Sequence, residues 1–421
     1  MRSHSCFCFA LMFGLLFACF FGPAQRVDGQ TPAPLTLQQV VDYTFAHNPA
    51  LLAGRQNLLS MKGQEVEAGL RQNPNFTIYG SNLSNPASSS TPYAYSLQLS
   101  RLFERGQKRR WRLDSAQATT AQTAGQLHDQ ERGTILAAKQ AFTNMLLAKT
   151  TLKVAQDNLK NYRQQMDIFQ ARYKDGDLGK IDYERLDLQL AQYESDEQTA
   201  EMNLVQGSDQ LQTLMGYEQP RRDFDIAGDL VPPAVTVSMT DLEQRALASR
   251  PDYQAAKAAV LVADANVKLA FANGTTDPTL EGEYDHSGNL SSYGFYASIP
   301  VRIFDRNQGN KDTSKYLAQG SRFSETAARN QVFSDVDQAW IAYTTSKVLS
   351  DRYNQHYLAE AKDVLAIAEY AYKRGGFALI DYLNALQDDR TTTLNALDAD
   401  AQTWLAIHQL SYTSASTTIV P

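Results

Sequence analysis

Cysteine is almost absent from this 421-residue chain: the three it has, Cys6, Cys8 and Cys19, all fall in its opening segment. The rest of the chain can form neither a disulfide staple nor a thiolate metal site, so its stability and chemistry rest on other groups. Long apolar runs are equally scarce. After the opening MRSHSCFCFALMFGLLFACFFGPA no stretch of about 18 apolar residues occurs, which leaves no transmembrane helix. Any insertion into a bilayer must then use β-strands. An excess of positive charge is missing too, with 39 Lys and Arg against 46 Asp and Glu and a net charge of −7. That balance argues against nucleic acid as a partner, because phosphate binding needs a clustered basic surface. His47, His128, His286, His356 and His408 show no paired ligand spacing such as HxxxH. No Gly-rich phosphate loop with its Lys-Ser/Thr appears, nor any nucleophile motif. The expectation is a protein that is not an enzyme and has no cofactor and no metal site.

What the opening segment does contain is a basic start, an apolar core and then small residues, the pattern of a secretory signal peptide over residues 1–29. Cleavage fits after Ala24 or after Gly29. A competing reading takes Leu16-Phe17-Ala18-Cys19 as a lipoprotein signal with Cys19 lipidated. Either way the chain is exported.

Proline is missing from two long stretches, between Pro92 and Pro220 and between Pro300 and Pro421. Since proline breaks helix interiors, both are free to be helical throughout. In the first, Met145, Ala148, Leu152, Ala155, Leu159, Tyr162, Met166, Phe169 and Tyr173 alternate spacings of three and four, a heptad seam. In the second, Leu358, Ala361, Leu365, Ala368 and Tyr372 form one seam, and Tyr357, Val364, Ile367 and Ala371 another beside it. Two seams suit a helix with neighbours on both sides. The helix from Lys108 to Tyr173 would run roughly 66 residues, or about 100 Å, and that from Gln308 to Tyr372 nearly the same.

The chain is also written twice. Ala46-His47-Asn48-Pro49 returns as Ala248-Ser249-Arg250-Pro251, Asn73-Pro74 as Asp277-Pro278, and LFERGQ (102–107) as IFDRNQ (303–308). The fourth pair is RYKDGDLGKIDY, from Arg172, and AYKRGGFALIDY, from Ala371. Each offset is roughly 200 residues, so the spacing predicts a tandem duplication of helix, β-hairpin and two long helices. The expected divisions are a first repeat over 30–215, a linker over 216–240, a second repeat over 241–412 and a tail over 413–421. Helix turns are expected at 174–181 and 373–380, and strands at about 75–83, 93–103, 279–286 and 292–303. The strands alternate: Tyr93, Tyr95, Leu97 and Leu99, or Tyr293, Phe295, Ala297, Ile299 and Val301, would face one side. Leu280, Gly282 and Tyr284 would face out while Glu281, Glu283 and Asp285 face in. Four strands cannot close a membrane barrel, which needs at least eight, so the chain must oligomerise.

This order, with its two glycine-bearing helix turns, resembles the TolC-like outer-membrane efflux protein family over essentially Leu35 to Ser411. The resemblance implies a mainly α subunit with a small membrane β-barrel contribution. It implies a homotrimer that joins a twelve-stranded barrel in the outer membrane to a long α-helical barrel crossing the periplasm. Such a duct is passive. It docks by its helix turns onto a periplasmic adaptor and works with an energised inner-membrane pump of the RND type. The segment SIPVRIFDRNQG (298–309) resembles the version in the CzcC-like heavy-metal branch; metal cations and organic compounds both remain open as cargo. The alternatives are a type I protein-secretion duct and an exported coiled-coil structural protein with soluble hairpins.

The resemblance also assigns residues. Asp381 would line a periplasmic constriction, with Asn384 where several relatives carry a second aspartate. Tyr372 would latch the closed gate, and a bond from Tyr372 to Asp182 is expected, although Asp182 is also a plain first-turn aspartate. Adaptor docking falls to Gly176, Asp177, Leu178 and Gly179 and to Gly375, Gly376, Phe377 and Ala378. Glu281, Glu283 and Asp285 would give an acidic lumen. The basic cluster Arg101, Arg105, Lys108, Arg109, Arg110 and Arg112 is expected to meet outer-membrane lipid headgroups or a periplasmic rim rather than nucleic acid.

Overall fold

The computed structural model describes residues 33–81 and 93–416. The expected signal peptide, its cleavage sites, Cys19 and the end of the C-terminal tail lie outside the described residues, as does the first hairpin tip.

The first copy of the duplicated unit comprises α1 (Leu37–His47), α2 (Pro49–Gly69), β1 (Asn75–Ser81), β2 (Ala94–Leu102), α3 (Lys108–Lys174) and α4 (Lys180–Met215). The second comprises α5 (Met239–Ser249), α6 (Pro251–Asn273), β3 (Thr279–Ser287), β4 (Leu290–Ser298), α7 (Gln308–Arg352), α8 (Leu358–Lys373) and α9 (Leu379–Thr413). The short helices break at the same place in both copies for the same reason. A proline opens α2 and α6, where a missing N–H costs nothing, and it forces the preceding residue out of the helix. Asn48 then caps α2 by accepting from the N–H groups of Ala50 and Leu51.

The 67 residues of α3 form one helix, about 100 Å long. Its counterpart differs from the expected uninterrupted rod: a single π-helical turn, Tyr353–Tyr357, joins α7 to α8. At that turn Ser350 and Asn354 both donate to the buried Asp400 carboxylate of α9, at 2.5 and 2.8 Å. Met145, Ala155, Leu159, Tyr162, Met166 and Phe169 of the α3 seam are buried. Gly207 of α4 lets the two helices close up, since a Cβ there would stand 3.3 Å from the Met145 Cα. The second seam of α8 behaves differently, with Val364 50% and Ile367 62% exposed.

Two cores sit around the middle of the rods, one on Leu242, Val332, Val336 and Leu410, the other on Val40, Phe142, Met145 and Met215. The segment after α4 closes over the latter through a parallel bridge between Leu35 and Ile226. A third core joins both helix turns at the far end.

At the opposite end the strands make one antiparallel sheet in the order β1-β2-β3-β4. Register rows run Phe76, Leu99, Gly282, Phe295 and, one residue on, Thr77, Gln98, Glu283, Gly294. Because side chains alternate, Phe76, Ile78, Leu97, Leu99, Leu280, Tyr284, Tyr293 and Phe295 share one face. Thr77, Ser96, Gln98, Glu281, Glu283 and Asp285 share the other. β4 starts two residues earlier than expected and stops at Ser298, not at about residue 303. Pro300 has no N–H for a ladder, and the chain turns there, with Ile303 N–H donating to Val301 O at 3.2 Å.

Candidate functional site

Both helix turns are closed by the same backbone device. The Gly176 N–H donates to Tyr173 O and the Asp177 N–H to Arg172 O; the Gly375 and Gly376 N–H groups do the same to Tyr372 and Ala371. This pattern puts one residue in the left-handed region, and Gly176 (φ 82°) and Gly375 (φ 74°) occupy it. The adjacent Gly376 has no positive φ.

Leu178 was expected as an exposed docking side chain. It is buried instead, in one core with Leu379, Tyr382 and Leu186. Its repeat partner Phe377 is 44% exposed, and the side chains that accompany it at the surface are Ile181 and Ile380. The Ile-Asp-Tyr shared by both turns was the available signal for these two isoleucines. Gly176, Asp177, Gly179, Gly375, Gly376 and Ala378 are exposed as expected of turn tips.

Tyr372 stacks on Tyr382, with ring centroids 5.4 Å apart and planes within 5°. Tyr173 and Tyr183 repeat that pair in the first copy, at 4.8 Å and 13°. The Arg172 guanidinium stands over the Tyr372 ring, 6.0 Å from its centroid, and Tyr382 donates to Gln165 Oε1 at 2.8 Å, so both tyrosines face α3. Burial, the larger influence, pushes both phenols up, that of Tyr382 to about 12. The expected Tyr372–Asp182 hydrogen bond does not form among the described residues of one chain. Asp182 sits 4.0 Å from Arg185. Asp381 is exposed and accepts the Ala378 N–H at 3.1 Å, which satisfies one free donor at the start of α9. Asn384 is exposed one turn further on.

At the sheet, Gln98 donates to Glu283 at 2.7 Å, and Glu281 and Asp285 share that polar face. Gly294 leaves room for the Tyr296 ring, which would stand 2.9 Å from a Cβ there, to reach across to Glu283. Among the described residues no group of three or more metal-ligating side chains assembles. The basic cluster divides. Lys108 is buried on Asp277 (2.5 Å) and Thr275 O (2.8 Å), and Arg112 pairs with Glu104. Arg101, Arg105 and Arg109 stay exposed.

Two long helix pairs beneath a sheet with one apolar and one polar face make an unusual subunit. A model of the family described as outer membrane efflux protein matches residues 40–217. That match falls on the first copy of the duplicated unit and covers less than half of the chain. The chain is 26% identical over 281 residues to the cation efflux system protein CusC of Escherichia coli O157:H7, a match covering 62% of this chain and 58% of that relative. The chain therefore spans less than two thirds of the CusC length. It is 23% identical over 380 residues to the cobalt-zinc-cadmium resistance protein CzcC of Cupriavidus metallidurans, covering 90% of this chain and 89% of the relative. A membrane protein from Pseudomonas aeruginosa shares the fold with a TM-score of 0.80 at 16% identity, over 90% of this chain and 92% of that one.

Proposed function

We propose that three copies of this chain form a passive exit duct for metal cations, fed through a periplasmic adaptor by an inner-membrane pump. The observation that carries the assembly is a contact made once within the chain and left open at its edges. Where the first copy meets the second, Phe103 N–H donates to Pro278 O (2.9 Å) and Arg105 N–H to Asp277 Oδ1 (2.8 Å). Lys108 closes the same clasp, and α3 packs along α6. Advanced by one repeat, Phe304 and Arg306 stand for Phe103 and Arg105, and Asn73-Pro74 for Asp277-Pro278. Those partners lie at opposite edges of the sheet, beside β4 and β1, and cannot meet in one chain. A head-to-tail neighbour joins them, and α7 to α2, and a heterologous contact that closes makes a ring. In a single chain Phe304 is 90% and Val301 81% exposed, as surfaces awaiting that neighbour would be. Three copies supply the twelve strands of a closed barrel.

The cargo reading is supported by the relatives named for cation efflux and for cobalt, zinc and cadmium resistance. It also fits Glu281, Glu283 and Asp285 on the polar face, which becomes the lumen when the apolar face meets lipid. Ile181, Phe377 and Ile380 supply the apolar contact for the adaptor. The Tyr372 and Asp381 turn supplies the constriction.

The decisive test of cargo is deletion of the gene in its host, with growth scored against copper, silver, cobalt, zinc and cadmium salts and a panel of organic toxicants. Heightened sensitivity to the metals, restored by the gene in trans, is expected. Sensitivity confined to the organic compounds would overturn the cargo.

A further inference from the structure

A cleft of about 590 Å³ opens at the helix-side end of the sheet, between the lead-in to β1 and the start of α3. Four arginines line it, Arg71, Arg101, Arg109 and Arg110, against a single carboxylate, Glu104, which Arg112 already engages. In a chain whose net charge is −7, this is a concentrated local reversal of sign. Among the described residues Arg71, Arg101 and Arg109 make no salt bridge, and Arg110 reaches Asp114 only at 3.9 Å. Such a cluster repels itself unless an anion joins it.

The surroundings say which anion. Arg101 lies on the apolar sheet face, in register beside Leu280, and its guanidinium rests over the Phe103 ring at 5.1 Å. Two residues further along, that face presents Phe76 and Leu99, 62% and 56% exposed. The cleft thus joins a cationic pocket to an apolar strip running up the sheet. A free inorganic anion uses only the pocket, whereas a phospholipid uses both. Arginine forks match phosphate oxygens two at a time, and the apolar strip covers acyl chain.

We propose that this cleft binds the phosphodiester headgroup of an anionic phospholipid of the periplasmic leaflet, with its acyl chains along Leu99 and Phe76. The proposal rests on the sheet standing in the membrane. It fixes the depth of the barrel, since the headgroup plane then passes through Arg101 and the strand-to-helix junction. Juxtamembrane arginines contribute about 1 kcal/mol each at an anionic surface, so losing two of them costs roughly tenfold to thirtyfold in affinity.

The test is lipid retention by the detergent-purified assembly, read by native mass spectrometry, with phosphatidylglycerol, phosphatidylcholine or inorganic phosphate added. Wild type should retain phosphatidylglycerol at least about tenfold better than phosphatidylcholine, and inorganic phosphate should not displace it. R101Q/R109Q should reduce that preference to near parity, while R322Q, which breaks a helix-surface pair with Asp264 far from the cleft, leaves it intact. Equal retention of both lipids by wild type overturns the proposal without any variant having to fold. So does displacement by phosphate alone, which would mark a free-anion site, or an unchanged preference in R101Q/R109Q. A chain that purified without detergent as a monomer would instead remove the membrane reading on which the proposal stands.

Discussion

Single residues decide how the rods end. Gly375 occupies a left-handed conformation and Gly376 does not, so G375A should destabilise the protein by about 1–2 kcal/mol and G376A by little. Chemical unfolding of the two variants measures this; equal effects would mean the turn is held by something other than the backbone pattern. Sequence alone gave two adjacent glycines and no way to rank them, because rank depends on where the helix releases its last carbonyl. A second residue-scale effect is a pH dependence. His408 on α9 is enclosed beside Thr143, and burial, with the nearby Lys139 cation, lowers its pKa from 6.5 to about 3. The unfolded chain therefore binds a proton that the folded chain refuses. Stability is complete above pH 6.5 and falls as pH drops toward 3, by about 1.4 kcal/mol per unit at most. H408Q should flatten that stretch of the profile relative to wild type in denaturant titrations between pH 4 and 7. A profile as steep as wild type would assign the effect to other groups.

At the scale of elements, what the sequence announced best was length and face. The two proline-free stretches became rods, and the strict alternation of β2 and β3 placed the carboxylates and the aromatics on opposite faces of the sheet. Patterns of period two and three-and-a-half report burial directly, so they survive translation into structure. Contacts between elements were harder to read. Leu178 looked like a surface residue because it stands in a turn, yet the two turns pack on one another and enclose it. The partner of Tyr372 was sought in Asp182, on the adjoining turn, whereas the charged group that stands over its ring is Arg172, near the end of α3. The π turn carried no sequence signal at all. If the Tyr372–Arg172 contact holds the second turn inward, Y372L and R172Q should each raise single-channel conductance, and to a similar degree. A rise in Y372L alone would assign the latch to a different partner, and no rise in either would dismiss it.

At the scale of the whole molecule, the duplication is the most informative feature. A chain that contains the same unit twice contains one copy of the contact between units, and the geometry of that contact specifies the next one. The Phe103–Pro278 and Arg105–Asp277 clasp is visible here; its proposed counterpart, Phe304 and Arg306 on Asn73-Pro74, is a contact with a neighbouring subunit. F304D should leave the chain foldable, since that side chain touches little within one subunit, and should dissociate the detergent-extracted assembly on size-exclusion chromatography with light scattering. An intact F304D trimer would show that the second copy does not repeat the first. The central claim is that this assembly is an open-edged subunit closed into a membrane duct, and planar-bilayer recording of the purified protein tests it most directly. The account predicts discrete, uniform conductance steps with a reversal potential shifted toward the cation, as an acidic lumen requires. A protein that stays monomeric without detergent and gives no steps would contradict it.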